Sequence, residues 1–183
     1  MINMSFVDCG SFRGKALTWA RKRYGDKCKL YAFECNPHLS CEYGADVTTE
    51  KKALWTCDGD LRFYMNIKHP GIEGHSVYKD KTTGQLDTTH PITVHCIDFS
   101  KWLFETFSNS DHVIVKMNIE GAEYDVLEKC VETGSINIIK ELFVQWHYQK
   151  IPGLSKRHEK LISDLNKVSS LKFYNGYGHL KVV

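Results

Sequence analysis

Apolar positions along the chain fall into short blocks whose period changes between two and about 3.6, with glycine or a polar cluster at each change. Ser5-Phe-Val-Asp-Cys-Gly10 is the first block and is predicted to be a strand. After Gly14, apolar positions 16, 17, 19, 20 and 24 recur at helical spacing, and Gly25 is placed to close that helix. Leu30-Tyr-Ala-Phe33 is a second strand, followed by a weak helix within 38–46. Ala53-Leu-Trp-Thr56, the Asp58-Gly59 turn and Leu61-Arg-Phe-Tyr-Met65 are predicted to form a hairpin. Residues 66–91 show no period and are expected to be a long mobile insertion able to serve as a substrate lid.

Ile92-Thr-Val-His-Cys-Ile97 is another short strand, and Phe99 to Phe107 follow a helical pattern that Ser108-Asn-Ser-Asp111 breaks. The densest join comes next, where a β-branched strand over 112–118 passes through a Gly turn into a helix over 122–132, with Gly134 as its C-cap. Asn118, Glu120 and Glu123 crowd into that join. Ile136-Asn-Ile-Ile139 and Glu141-Leu-Phe-Val-Gln-Trp146 give a buried strand ending at His147, and a helix is expected over about 155–168. The final segment, Leu171 to Val183, is two alternating arms around Asn175-Gly176, a hairpin signal. Alternating strands and helices predict an α/β fold with a mostly parallel sheet, helices on both faces and an antiparallel C-terminal strand. Ligands in such folds sit at the carboxyl ends of strands, so the 118–123 join is the first candidate for chemistry.

A length of 183 residues suits one domain spanning 1–183. The 42% hydrophobic and 25% charged residues suit a soluble protein, no apolar run approaches the ~18 residues of a membrane span, and Met1-Ile-Asn-Met-Ser5 lacks secretory-signal features. A cytoplasmic location is therefore expected. Lys plus Arg number 24 against 22 Asp plus Glu, a balance that gives no strong pull toward nucleic acid or an anionic membrane. The basic cluster Lys156-Arg-His-Glu-Lys160 reads as a solvated helix face. Seven scattered cysteines without a CxxC pair argue for reduced thiols and against a zinc site; Cys9, Cys57, Cys96 and Cys130 sit among apolar neighbours and are expected in the core.

The first loop restricts the ligand. A dinucleotide fingerprint requires Gly-x-Gly-x-x-Gly so that the backbone can approach a pyrophosphate, but Phe12 stands at the middle glycine and Gly14 comes one position early. NAD and FAD are disfavoured, and without Gly-Lys-Ser/Thr a P-loop is absent. What remains is Asp8-x-Gly10-x-x-x-Gly14, with Glu34 20 residues beyond Gly14 and placed to accept from both hydroxyls of a ribose. That combination suits an adenosyl ligand without phosphates.

Three segments, Phe6-Val-Asp-Cys-Gly-Ser-Phe-Arg-Gly14, Ala32-Phe-Glu-Cys-Asn-Pro37 and Val115-Lys-Met-Asn-Ile-Glu-Gly-Ala-Glu-Tyr-Asp-Val-Leu127, together resemble the FkbM-type methyltransferases. The resemblance runs from about residue 5 to 148 and is most specific in the Lys-x-x-x-Glu-Gly-Ala-Glu block. It implies a Rossmann-like class I fold with a seven-stranded sheet and S-adenosylmethionine as cofactor, with S-adenosylhomocysteine as product. It also implies that Asp8, Gly10 and Gly14 line the methionine part, that Glu34 holds the ribose and that Asn36 lies near the adenine, with Ser11, Phe12, Arg13, Cys35 and Asn118 also at the cofactor site. Asp58 is a further candidate for the adenine amino group, against the simpler reading of a hairpin-turn Asp-Gly. This chain has Asn118 where the family usually has Asp, and Cys35 where it usually has Pro. Without that carboxylate no metal is expected.

Methyl transfer from a sulfonium is a displacement, so alignment and a dry site are the main requirements, and a hydroxyl acceptor also benefits from a base within ~3 Å. Glu120, Glu123, His147 and Asp98 are the candidate bases, with Asn118 beside them; Glu123 reads equally as a first-turn helix acid and His147 as a structural histidine. Lys116, in a buried strand, is expected to pair with Glu120 or Glu123. Substrate contacts are expected from 66–91, from 147–156 or from another subunit, which leaves a homo-oligomer open. The Asp/Asn-Pro-Pro-Tyr/Phe signature of amino methylation is absent, which argues against a nucleic-acid base as substrate. The reading reached is O-methylation of a small hydroxylated or glycosyl substrate. A non-catalytic S-adenosylmethionine-binding module and a nucleotide-dependent oxidoreductase are the alternatives.

Overall fold

The computed structural model describes residues 3–40 and 42–176. The elements run β1 (Met4–Cys9), α1 (Lys15–Tyr24), β2 (Lys29–Phe33), β3 (Val47–Glu50), β4 (Ala53–Trp55), β5 (Gly59–Phe63) and β6 (Ile92–Asp98). Then follow α2 (Phe99–Thr106), β7 (His112–Met117), α3 (Glu123–Thr133), β8 (Ile139–Val144), α4 (Leu154–Asn166) and β9 (Lys172–Asn175). The main sheet has the order β3-β2-β1-β7-β8-β9, and every pairing in it is parallel.

Because side chains of a strand alternate between faces, the central strands supply two cores. Phe6, Leu30, Ala32, Ile114 and Phe143 pack with α1 on one face. Val7, Cys9, Val113, Val115, Met117, Leu142 and Val144 pack with α2, α3 and α4 on the other. Both faces are thus covered, which is what a parallel sheet of near-continuous apolar strands requires. Strand order reverses between β1 and β7, and the chain opens there.

Several expectations change. Among the described residues of 38–46 there is no helix. The Asn36 side chain accepts from the His38 N–H, a local bond that competes with helix formation. The hairpin of residues 53–65 does not close on itself: β4 pairs parallel and β5 antiparallel with β6, in a separate sheet ordered β4-β6-β5. The strand β6 displaces the hairpin partner because its buried Val94 and Cys96 fit between Ala53 and Phe63. Residues 135–138 form a 3-10 turn, so the strand begins at Ile139. The first arm of the C-terminal pair, β9, runs parallel to β8; its second arm lies outside the described residues. Cys9, Cys96 and Cys130 are buried, whereas Cys57 is exposed in the turn after β4.

Residues 66–91 carry no helix or strand of their own, but they are held down. Ser76 exchanges both backbone hydrogen bonds with Tyr64, and His75, Ser76 and Lys81 are buried. No helix among the described residues is long and apolar enough to cross a membrane.

Candidate active site

The site begins with backbone. Gly10 ends β1 at φ 78°, and a Cβ there would lie 2.0 Å from the Asn118 carbonyl oxygen. Only glycine lets the two strand ends approach this closely. Asn118 in turn donates its N–H to Cys9 O at 2.9 Å. Beyond Gly10 the chain is strained: Phe12 has φ 45°, which turns its N–H onto Glu34 Oε2 at 3.0 Å. The Asn36 N–H donates to the other oxygen, Oε1, at 2.9 Å. Burial pushes the Glu34 carboxyl above its usual range, and these two N–H donors oppose that shift. Each Glu34 oxygen keeps capacity for one further hydrogen bond.

These residues line an apolar cleft whose empty space, open mouth included, is about 700 Å³. Gly10, Phe12, Glu34, Cys35, Asn36 and Asn118 all border it, and its far wall is Phe33, Leu54, Phe63 and Val77. The β4–β6–β5 sheet and residues 66–91 therefore supply the cover. The Asn36 side-chain amide ties that cover down by donating to Pro70 O at 2.8 Å.

Five expected residues lie elsewhere. Asp8 is fully buried behind the loop, 2.7 Å from Lys116 Nζ, which also donates to Gly10 O at 2.8 Å. Lys116 was expected on Glu120 or Glu123; it meets Asp8 because the two are register partners on β1 and β7. Burial pushes the Asp8 carboxyl up, opposed by the Lys116 charge. Ser11 spends its hydroxyl on Asp8 O, Arg13 is exposed with its guanidinium 5.1 Å from the Phe12 ring centre, and Gly14 starts α1 against Tyr43. Asp58 is exposed, accepting from the Asp98 N–H and from Lys101 Nζ at 2.9 Å, as a turn residue would.

A second cleft of about 770 Å³ opens on the other side of Asn118 and Glu120, which border both. Here an ion network governs the geometry. Glu120 sits at φ 56°, and its Oε2 lies 2.9 Å from Lys81 Nζ and 3.4 Å from His147 Nε2. The opposite ring nitrogen, His147 Nδ1, is 3.1 Å from Glu123 Oε1. Glu123 is fully buried and also accepts from the N–H groups of Ile119 at 2.7 Å and Gly121 at 2.8 Å. It therefore fixes the turn and the imidazole and lines neither cleft.

Electrostatics follow from this arrangement. Burial alone would depress His147, but the two carboxylates outweigh it and raise its pKa to about 9. Burial would likewise raise Glu120, but His147 and Lys81 outweigh that and hold it at about 2. At neutral pH His147 is cationic and Glu120 anionic. The shortest ion-pair contacts of both cations are to the same oxygen, Oε2. Asn118 Oδ1 is buried with no hydrogen-bond partner among the described residues.

The sequence reading missed Lys81 and Ser76. Lys81 also donates to Gly74 O at 2.5 Å, and the Ser76 hydroxyl donates to Glu120 O at 2.7 Å, so both stitch residues 66–91 to the β7–α3 turn. An isolated Lys and Ser in an aperiodic segment leave no signal of burial.

Residues 8–169 match the model described as the methyltransferase FkbM domain. The chain belongs to the FkbM methyltransferase family. No curated protein and no solved structure matches it. Within this FkbM methyltransferase the Rossmann-like order is retained, and both clefts open at the carboxyl ends of β1, β2, β7 and β8.

Proposed function

We propose that the protein is an S-adenosylmethionine-dependent O-methyltransferase whose apolar cleft takes the cofactor and whose Glu120 serves the acceptor hydroxyl. The observation that carries this reading is the shared wall: Asn118 and Glu120 border an apolar cleft on one side and a polar one on the other. The residues present fit the cofactor. Glu34 has acceptor capacity for two ribose hydroxyls, the orphaned Asn118 Oδ1 suits a donor such as an amino group, and Phe33, Leu54 and Phe63 offer apolar surface to a purine.

When bound, S-adenosylmethionine supplies an electrophilic methyl group on a sulfonium. The chain's task is to hold an acceptor oxygen in line with it and to take its proton. Glu120 is the group for both, because it borders both clefts and is held there by ion pairs to Lys81 and His147. A carboxylate held at about 2 is a weak base. It suffices because a hydroxyl oxygen that is forming a bond to carbon becomes strongly acidic, so the proton leaves late. His147, cationic up to about pH 9, is a positioning group here, as is the buried Glu123. No metal enters this reading.

Calorimetry with S-adenosylhomocysteine, followed by transfer of labelled methyl to a library of hydroxyl compounds, tests it. Binding with turnover is expected. Binding without turnover on any acceptor would favour a non-catalytic module, and NAD binding without S-adenosylhomocysteine binding would overturn the cofactor assignment.

A further inference from the structure

We infer that the second cleft is the acceptor site and that it selects a polyhydroxylated, sugar-like acceptor over a phenol or a fatty alcohol. This rests on the methyl-transfer reading above and names its substrate class. The two clefts have opposite linings. The first is walled by aromatic and aliphatic side chains, whereas no hydrophobic side chain borders the second. Its rim instead presents Thr83 from residues 66–91, Gln145 just after β8 and Lys150 from the 3-10 turn that follows, around a floor of Glu120 and His147.

Among the described residues the Gln145 amide, the Thr83 hydroxyl and the Lys150 ammonium take no side-chain hydrogen bond or ion pair. Together they offer donors and acceptors in several directions, as a ring bearing many hydroxyls requires. An apolar acceptor would strip water from the Glu120–His147–Lys81 network without replacing its hydrogen bonds, which penalises it. A polyol replaces them. The hydroxyl that is methylated is the one that reaches Glu120: of the two carboxylates that border both clefts, Glu73 is exposed, whereas Glu120 is held beside His147 and Lys81.

The test uses the full chain, labelled S-adenosylmethionine, and a panel of methyl hexosides and methyl 6-deoxyhexosides set against catechol and 1-octanol. Glycoside methylation is expected to exceed that of catechol and octanol. Gln145→Leu and Thr83→Val, both at exposed positions, are expected to lower glycoside kcat/KM by about tenfold or more while S-adenosylhomocysteine affinity stays within about threefold. Preference for catechol or octanol, absence of glycoside methylation, or unchanged kcat/KM in both variants would overturn the inference. Failure of the unaltered protein to bind S-adenosylhomocysteine would instead overturn the methyl-transfer reading on which it rests.

Discussion

The two clefts meet along two strips of chain, Asn118 to Glu120 and Glu73–Gly74, yet they are held in shape by different forces. On the apolar side the shape comes from backbone: the close approach at Gly10, the turned Phe12 N–H and the Asn36 N–H that fix Glu34. On the polar side it comes from charge, with Lys81, His147 and Glu123 placing one carboxylate. Backbone geometry is insensitive to pH, whereas a buried ion network is not. The division predicts that the cofactor side responds to steric change and the acceptor side to charge.

Four changes probe that division, and the largest effect comes from removing what both sides share. Gly10→Ala drives a Cβ into the Asn118 carbonyl at a left-handed backbone position, and should lower unfolding free energy by about 3 kcal/mol or more in denaturant titrations. Wild-type stability there would mean that the strand ends can separate and that the common wall is not fixed. Glu120→Gln should cut kcat by about a hundredfold or more while leaving S-adenosylhomocysteine affinity within about threefold. Equal losses in both would erase the distinction between the sides.

The next effect is one of pH. His147 has its pKa raised to about 9, so its contribution is full below its ordinary 6.5 and is lost as pH rises through 9. Stability should therefore fall by on the order of 3 kcal/mol across that window, and His147→Gln should flatten the slope. A flat wild-type profile from pH 6.5 to 9 would contradict the network. Smallest is Lys81→Met, expected to lower kcat about tenfold and to move the acid limb of the pH–rate profile upward as Glu120 relaxes toward ordinary carboxylate behaviour. Lys81→Arg should restore part of the loss; cofactor affinity falling in step with kcat would show Lys81 to be merely structural.

The same division explains what could be read from the sequence. Backbone demands mark residue types, so Gly10, Gly14, Glu34 and the Asn118–Glu123 join stood out, and the family match over 8–169 covers them. Charge partners leave no such mark. Lys116 was assigned to the wrong carboxylate because the register of β1 against β7, which sets Asp8 beside it, is a tertiary property. Lys81 was invisible in an aperiodic segment that nonetheless folds under the site. Phe12 and Glu120 hold left-handed backbone without being glycine, so neither betrayed its strain. The choice of β6 as common partner for β4 and β5 likewise depended on packing rather than on the Asp58-Gly59 turn.

The most direct measurement is calorimetric titration of S-adenosylhomocysteine into the unaltered protein, Glu34→Ala and Lys81→Met under one set of conditions. The account predicts binding to the unaltered protein, a loss of about tenfold or more in Glu34→Ala, where two ribose hydrogen bonds to a charged group disappear, and a change within about threefold in Lys81→Met. No binding to the unaltered protein, or undiminished binding to Glu34→Ala, would contradict it.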